Sequence, residues 1–168
     1  MQHKIVETAK SEYFKRVWIG DPCYVFPKQL WDKFCEKVFT KEEETGFKLN
    51  FSFEDFIEAG VNAKTISKIR KMDLEDLVIL QCGTAYGDGT FSSNSGFEYG
   101  VDAGCLAIIP DYMVSEEAIE SGDDIRLGKY FDLKSPGVIS LITDGEGEFR
   151  FGDENSTIEM IFTGDGEY

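Results

Sequence analysis

Leu77-Val78-Ile79-Leu80-Gln81-Cys82 is a nearly continuous apolar run near the middle of this 168-residue chain. A short run of this kind is typical of a strand that is buried on both faces of a sheet. Residues with helical spacing precede the run, and segments with strand-like alternation follow it. This order predicts an α+β fold, in which an N-terminal strand and amphipathic helices pack on a mostly antiparallel sheet.

Three helices are predicted upstream of this run. The first begins at Pro27, which suits the first turn of a helix, and its apolar residues recur at helical spacing: Leu30, Trp31, Phe34, Cys35, Val38 and Phe39. Ser52 is placed to cap a short second helix that ends at Gly60, and Asn62 is placed to cap a third. The third helix is the only basic one, and we interpret its charges as a solvated face: Lys64, Lys68, Arg70 and Lys71.

Strands are predicted on both sides of the helices. One covers residues 13–19, ahead of the turn Gly20-Asp21-Pro22-Cys23. Others follow the central run, at residues 97–101, 105–109, 129–133, 138–142, 148–151 and 157–162. The last three of these are expected to form a β-meander that ends the sheet. Residues 115–120 are predicted to form one or two helical turns.

The composition predicts a single domain over residues 1–168, because 42% of the residues are hydrophobic and 14% are aromatic. The formal net charge is −15. Residues 1–71 carry 13 Lys and Arg against 11 Asp and Glu, a balance of +2, whereas residues 72–168 carry 4 against 21, a balance of −17. Nucleic-acid binding needs clustered basic charge, so direct contact with DNA or RNA is not expected. Solubility is one explanation of the acidic half, and recognition of a cation or a basic protein is the other.

Nothing in the sequence indicates export or membrane insertion. The N-terminal residues lack the apolar core of a signal peptide, and no apolar run approaches the roughly 20 residues that span a bilayer. The four cysteines form no Cys-x-x-Cys pair, which disfavours a zinc or dithiol redox site, and we expect free thiols. A cytoplasmic protein with no membrane partner is therefore predicted, and its oligomeric state stays open.

Three segments of the acidic half resemble one another: residues 84–91, 143–149 and 163–168. Each places an Asp-Gly pair between a threonine and an aromatic residue. Asp-Gly suits the positive φ angles of a tight hairpin turn, which explains each segment taken alone. The alternative is a hard-cation site, because Asp side chains and loop carbonyls are ligands for Ca²⁺ or Mg²⁺. No cofactor beyond such an ion is predicted.

Two further turns combine a carboxylate with a thiol. One is Gly20-Asp21-Pro22-Cys23-Tyr24, and the other is Gly100-Val101-Asp102-Ala103-Gly104-Cys105. Turn geometry requires Gly and Asp but has no need of Cys or Tyr, so these residues favour a function. The hypothesis is that these turns and the first Gly-Asp segment share a pocket, whose candidate residues are Asp21, Cys23, Tyr24, Tyr86, Asp88, Asp102 and Cys105.

The segments Gly20-Asp21-Pro22-Cys23-Tyr24-Val25, Tyr86-Gly87-Asp88-Gly89-Thr90 and Gly100-Val101-Asp102-Ala103-Gly104 resemble a combination found in small uncharacterised proteins of bacteria and phages. The resemblance covers about a tenth of the chain. It implies no known activity and no catalytic residue. What it implies is a prokaryotic or viral protein, located in the host cytoplasm if a phage encodes it.

Most familiar catalytic arrangements are disfavoured. His3 is the only histidine, and neither standard phosphate-binding loop motif is present. One match is to the PD-(D/E)xK nucleases, because Asp111 follows a predicted strand and Asp132 and Lys134 end another. In that arrangement two carboxylates hold Mg²⁺ and the lysine supports the attacking water. The acidic surroundings would repel the phosphates of the substrate unless metal ions neutralised them.

These observations lead to two hypotheses of function. The first is an acidic binding protein that docks on a basic protein partner, as an inhibitor or as a mimic of nucleic-acid charge. The second is a metal-assisted hydrolase or divalent-cation-binding protein that uses clustered carboxylates: Asp21, Asp88, Asp102, Asp111 and Asp132. A third possibility is a cysteine-based activity at Cys23, and the sequence leaves open whether the protein is an enzyme.

Overall fold

The computed structural model describes residues 5–39, 47–61, 63–84, 87–102, 104–114, 128–144 and 147–163. The strands are β1 (Ile5–Lys10), β2 (Arg16–Gly20), β3 (Lys48–Asn50), β4 (Val78–Gly83), β5 (Gly89–Ser92), β6 (Glu98–Val101), β7 (Cys105–Pro110), β8 (Lys129–Asp132), β9 (Val138–Thr143), β10 (Glu148–Gly152) and β11 (Thr157–Phe162). The helices are α1 (Lys28–Phe39), α2 (Phe53–Glu58) and α3 (Ala63–Ile69). The predicted α+β class is confirmed.

The strands divide into two large sheets and a hairpin, where the sequence predicted one sheet. A five-stranded sheet has the order β3-β4-β7-β2-β8, a four-stranded sheet has the order β1-β9-β10-β11, and β5 pairs with β6. Every pair in the described part of the chain is antiparallel. The predicted meander corresponds to β9-β10-β11, and β1 pairs with β9 on the side away from β10. Strand β4, the central apolar run, contacts both β1 and β9, so the two sheets pack together.

The helices begin and end where local chemistry dictates. Helix α1 follows Pro27, whose carbonyl oxygen accepts a hydrogen bond from the Trp31 backbone at 2.9 Å. Helix α2 starts with a capping box: Ser52 Oγ accepts from the Asp55 backbone at 3.1 Å, and Asp55 Oδ2 accepts from the Ser52 backbone at 2.8 Å. Gly60, at φ +69°, follows the end of α2 as predicted. No helix in the described ranges is long and apolar enough to cross a membrane.

The core is built around aromatic and branched side chains from both sheets and from the helices. Its largest fully buried members come from both halves of the sequence: Phe14, Trp18, Ile19, Leu30, Phe34, Phe51, Phe56, Ile69, Leu77, Tyr99, Phe149 and Phe151. Burial of a side chain of this size contributes about 1.5–3 kcal/mol relative to leaving it in water. The two halves therefore fold around one core despite their different charge.

Several local predictions differ from the structure. The strand predicted over residues 13–19 starts only at Arg16, because the preceding residues turn so that the Phe14 backbone donates to the Ser11 carbonyl at 3.1 Å. Strands β1, β3 and β5 were not predicted, since their short or polar sequences lack a clear alternation. The helical turns predicted over residues 115–120 lie outside the described residues, as does the predicted cap Asn62.

Strand β11 buries the more polar of its two faces. Its inward side chains include Glu159 and Ile161, which are fully buried, whereas Phe162 on the other face is 43% exposed. Glu159 is held by two donors, the Tyr99 hydroxyl at 2.7 Å and the Ser95 hydroxyl at 2.8 Å. Burial and the adjacent Glu159 raise the pKa of the Tyr99 phenol well above its usual value, so this phenol stays protonated and donates.

The turn of the β5–β6 hairpin also bonds the backbone of β11. The Asn94 backbone donates to the Met160 carbonyl at 2.9 Å, and the Asn94 side-chain oxygen accepts from the Met160 backbone at 2.8 Å. Ser93 forms a further bridge to Ile161. The hairpin is thereby fixed across the edge of the four-stranded sheet.

Trp18 requires glycine on both sides. A Cβ at Gly20 would lie 2.3 Å from the indole ring, and a Cβ at Gly128 would lie 2.0 Å from it. Both distances are far inside van der Waals contact, so the close approach depends on the missing side chains. The ring is completely buried between them, and it fills the end of β2 that leads into the Asp21 turn.

We predict that Gly20→Ala lowers the free energy of unfolding by about 1–3 kcal/mol, because the added methyl group overpacks the Trp18 ring. The matched control is Gly83→Ala, where the new Cβ would meet only the Gly104 carbonyl oxygen at 3.5 Å. Urea unfolding followed by tryptophan fluorescence measures both variants. Equal stability of the two variants would contradict this account of the packing.

Candidate functional site: the acidic end of the sheets

The Asp21 carboxylate ties two turns together. Asp21 follows the last residue of β2 and is completely buried. One of its oxygens accepts from the Cys23 backbone at 3.0 Å, and the other accepts from the Asp102 backbone at 2.9 Å. Pro22 opens a single 3₁₀ turn at this point, because its fixed φ angle suits the first position of a helix. The two turns that combine a carboxylate with a thiol are thus in direct contact.

Asp88 and Asp102 lie at the same end of the β5–β6 hairpin. The last pair of that ladder is Gly89 with Val101, so the two acids occupy the next position on each strand. Both side chains are exposed. Gly104, at φ +74°, brings the neighbouring turn so close that a Cβ there would lie 4.0 Å from the Asp88 carboxylate. The Gly104 carbonyl oxygen also accepts from the Thr84 backbone at 2.8 Å.

The second Gly-Asp segment reaches the same end through Cys82. The Cys82 thiol donates to the Gly83 carbonyl at 3.5 Å, and it lies close enough to the Thr143 side chain and to Asp144 for both to affect its pKa. Asp144 in turn accepts from the Glu148 backbone at 3.0 Å, which shapes the β9–β10 turn. The start of the third segment joins this turn, because the Thr163 backbone donates to the Gly147 carbonyl at 2.7 Å.

We call this region the acidic end and define it by Asp21, Asp88, Asp102 and Asp144. The described residues that supply it are 20–25, 83–84, 87–90, 100–102, 104–105, 143–144, 147–148 and Thr163, and none of them is a lysine or an arginine. Asp21 is used inside the structure, whereas Asp88 and Asp102 face solvent. Arg150 pairs with Glu148 of this region at 2.9 Å, whereas the ion pairs of the described residues include neither Asp88 nor Asp102. These two exposed acids therefore keep a local negative potential.

The buried thiols at the acidic end are poor nucleophiles. Burial raises the pKa of Cys105 well above its usual value, and the nearby charges of Asp21 and the other cysteines raise it further. Burial also raises the pKa of Cys82 to about 11, against a smaller opposing effect of the Thr143 side chain. Thiols act as nucleophiles only when ionised. Cys23 is half-buried, so its thiol is more accessible than those of Cys82 and Cys105.

The structure brings together most of the pocket residues predicted from the sequence. Asp21, Asp102 and Cys105 interact directly or through their charges, and Asp88 lies beside the same turn. Tyr24 belongs to the Asp21 turn, where its backbone donates to the Asp21 carbonyl at 3.2 Å. The remaining candidate, Tyr86, lies outside the described residues.

The residues of the predicted nuclease motif lie apart. Asp111 follows β7 and Asp132 ends β8, and β2 runs between those two strands. Two strand spacings separate them by roughly 10 Å. Arg16 of β2 lies opposite Asp132, with Nε at 4.0 Å from its carboxylate, and Lys134 is exposed beyond the strand. Among the described residues, no three His, Cys, Asp or Glu side chains are placed to hold a metal ion.

Asp144 was not among the pocket residues predicted from the sequence. The signal was available, because residues 143–149 repeat the pattern of residues 84–91. The prediction that the basic third helix presents a solvated face is confirmed, because Lys64, Lys68, Arg70 and Lys71 are all exposed. What it did not include is that Lys64 and Lys68 line a cavity together with Arg16. The spacing of four positions places Lys64 and Lys68 on one face of the helix, but no spacing in the sequence connects them with Arg16.

Comparison with protein-family models, with curated proteins and with solved structures finds no match for this chain.

We predict that Asp21→Asn lowers the free energy of unfolding by about 1–3 kcal/mol, because the amide nitrogen cannot accept one of the two buried backbone hydrogen bonds. The amide protons of Cys23 or Asp102 should then exchange faster with solvent. Asp88→Asn is the matched control, since it removes the same charge from an exposed site and should change stability by less than about 0.5 kcal/mol. Chemical unfolding and hydrogen exchange measure both effects, and unchanged exchange at both amides would contradict the role of Asp21.

We predict that Cys82 and Cys105 resist alkylation at pH 8, whereas Cys23 reacts. A pKa of about 11 leaves only about one Cys82 thiol in a thousand ionised at pH 8, and the rate should rise with pH toward that value. Mass spectrometry after timed iodoacetamide treatment measures each site. All four thiols should react together in urea, and native Cys82 reacting as fast as it does in urea would contradict the prediction.

Proposed function

We propose that the protein is an acidic binding protein whose acidic end docks on a basic surface of a protein partner. In this role it acts as an inhibitor or as a mimic of nucleic-acid charge. The resemblance to small bacterial and phage proteins is compatible with such a role in a host cytoplasm. The proposal concerns recognition only, and it assigns no catalytic step to any residue.

The observation that carries the proposal is the convergence of separate turns on one end. The hydrogen bonds from Asp102 to Asp21, from Thr84 to Gly104 and from Thr163 to Gly147 connect segments that are distant in sequence. Hairpin geometry explains each Asp-Gly turn alone, and it also explains the bond from Thr163 to Gly147, which continues the β10–β11 ladder. It does not explain why the Asp21 and Asp102 turns meet or why these segments lack basic residues. A partner with clustered lysines or arginines would explain both.

Exposed charge at the acidic end acts mainly on the rate at which a partner associates. Exposed carboxylates attract a basic surface over about one Debye length, which is about 8 Å at physiological ionic strength. They raise the association rate more than they lower the dissociation rate, and added salt weakens the effect. Binding through the acidic end should therefore depend strongly on salt and on the exposed acids Asp88 and Asp102.

We predict that Asp88→Asn/Asp102→Asn weakens binding of a lysine-rich peptide at low salt by at least about threefold, because two facing charges are lost. The matched control is Glu12→Gln/Glu75→Gln, which removes two exposed charges from the opposite end of the sheets. Titration followed by ¹⁵N NMR measures affinity and location. Shifts should concentrate at the described residues of the acidic end and fade as salt is added.

Two results would overturn the proposal. One is equal weakening in the two double variants, which would mean that net charge alone attracts the peptide. The other is a pull-down from bacterial lysate at low salt in which wild type and Asp88→Asn/Asp102→Asn recover the same proteins. A band that wild type and Glu12→Gln/Glu75→Gln recover, and that Asp88→Asn/Asp102→Asn loses, identifies the partner.

A thermal melt distinguishes the divalent-cation hypothesis from the protein-docking function. A site present only in the folded state raises the melting temperature as the ion concentration increases. A stabilisation by Mg²⁺, Ca²⁺ or Mn²⁺ that Asp88→Asn/Asp102→Asn abolishes would favour a cation site at the acidic end. Equal melting curves with these ions and with NaCl of the same ionic strength favour the protein-docking function.

A further inference from the structure

A cavity of about 360 Å³ lies beside strand β2, far from the acidic end. Its lining includes Arg16 at the start of β2, Tyr130 of β8, Asp111 after β7, and Lys64 and Lys68 of helix α3. Arg16 and Asp21 stand at opposite ends of β2, roughly 16 Å apart along the chain. We call this cavity the basic cavity.

The lining of the basic cavity is positively charged, whereas the protein as a whole carries a negative net charge. Three cations, Arg16, Lys64 and Lys68, line it against the single carboxylate of Asp111, although the chain carries a net charge of −15. Lys64 and Lys68 are four positions apart on α3, so they share one face of the helix. Like charges at this spacing repel each other, and the ion pairs of the described residues include no acid beside either lysine. A bound anion would remove this repulsion.

Arg16 is positioned for anion recognition. Its guanidinium lies 4.2 Å from the centre of the Tyr130 ring, which fixes its orientation by a cation–π contact. Its ion pair is loose, because the 4.0 Å separation from Asp132 is at the limit of contact and the Asp132 side chain is 90% exposed. Arg16 therefore keeps most of its donors for another acceptor.

We propose that the basic cavity binds the phosphoryl group of a small phosphate monoester, with Arg16, Lys64 and Lys68 as its ligands. A dianionic phosphoryl group offers three oxygens, and the planar guanidinium with two ammonium groups matches that number. The size of the cavity suits a small molecule, and the net charge of −15 on the chain disfavours a nucleic-acid polymer. Asp111 and the tyrosines Tyr112 and Tyr130 are placed to contact the remainder of the ligand.

This proposal is independent of the acidic end, because no lining residue belongs to it. The probe is phenyl phosphate, which combines the phosphoryl group with an aromatic ring. Inorganic phosphate is the second probe, and NaCl of equal ionic strength is the baseline. Titration of the intact protein followed by ¹⁵N NMR should give saturable shifts at Lys64, Lys68 and Tyr130.

The variant Lys64→Gln/Lys68→Gln should weaken phenyl phosphate binding at least about tenfold, because two of the three cations are lost. The matched control, Lys28→Gln/Lys71→Gln, removes the same charge from exposed positions outside the cavity and should bind like wild type. Glutamine is well tolerated in helices, and the NMR spectrum itself verifies the fold of each variant.

The outcomes are distinct. Phenyl phosphate binding tighter than inorganic phosphate supports an ester ligand, and equal affinities support the free ion as the source of the phosphoryl group. Absence of saturable shifts at millimolar phenyl phosphate would overturn the proposal. Equal weakening in the two double variants would also overturn it, because the effect would then follow net charge and not the cavity.

Discussion

The buried Asp21 carboxylate is the interaction on which the acidic end depends. It accepts hydrogen bonds from the Cys23 and Asp102 backbones, and so it joins the end of β2 to the turn between β6 and β7. A buried carboxylate is costly unless it is hydrogen-bonded, and these two backbone groups supply its donors. These two hydrogen bonds hold the Asp21 turn and the β6–β7 turn together. The position of the β6–β7 turn places the Asp102 side chain at the surface.

Several acids of this chain are structural, and they cannot be counted as available surface charge. Asp55 caps a helix, Asp144 shapes a turn, and Glu159 holds the β5–β6 hairpin. Asp153 accepts from the backbones of Ser135, Asn155 and Ser156, and these bonds keep its pKa below the usual value although burial acts to raise it. Short strands joined by many turns leave many backbone donors to satisfy, so part of the acidity has a structural cause. The functional reading therefore rests on the exposed acids.

Local patterns in the sequence predicted local structure well. The spacing of Leu30 and Phe34, the Ser52 cap and the apolar run at residues 77–82 correspond to α1, α2 and β4 because each depends on near neighbours. The division into two sheets, the addition of β1 to β9 and the approach of α3 to Arg16 depend on contacts between distant segments, which no spacing encodes. The sequence could thus predict that the turns of Asp21 and Asp102 come together, but only the fold brings Asp144 near Cys82 and separates Asp111 from Asp132.

The hairpin turn that bonds Met160 has a consequence for self-association. Strand β11 forms one rim of the four-stranded sheet, and Asn94 and Ser93 cover it, whereas β1 forms the other rim. Open sheet rims are where chains recruit copies of themselves into growing fibrils. Because Asn94 and Ser93 contact β11, a second copy would extend this sheet at β1, and a pair joined through β1 would use up the uncovered rim that each copy offers in this sheet.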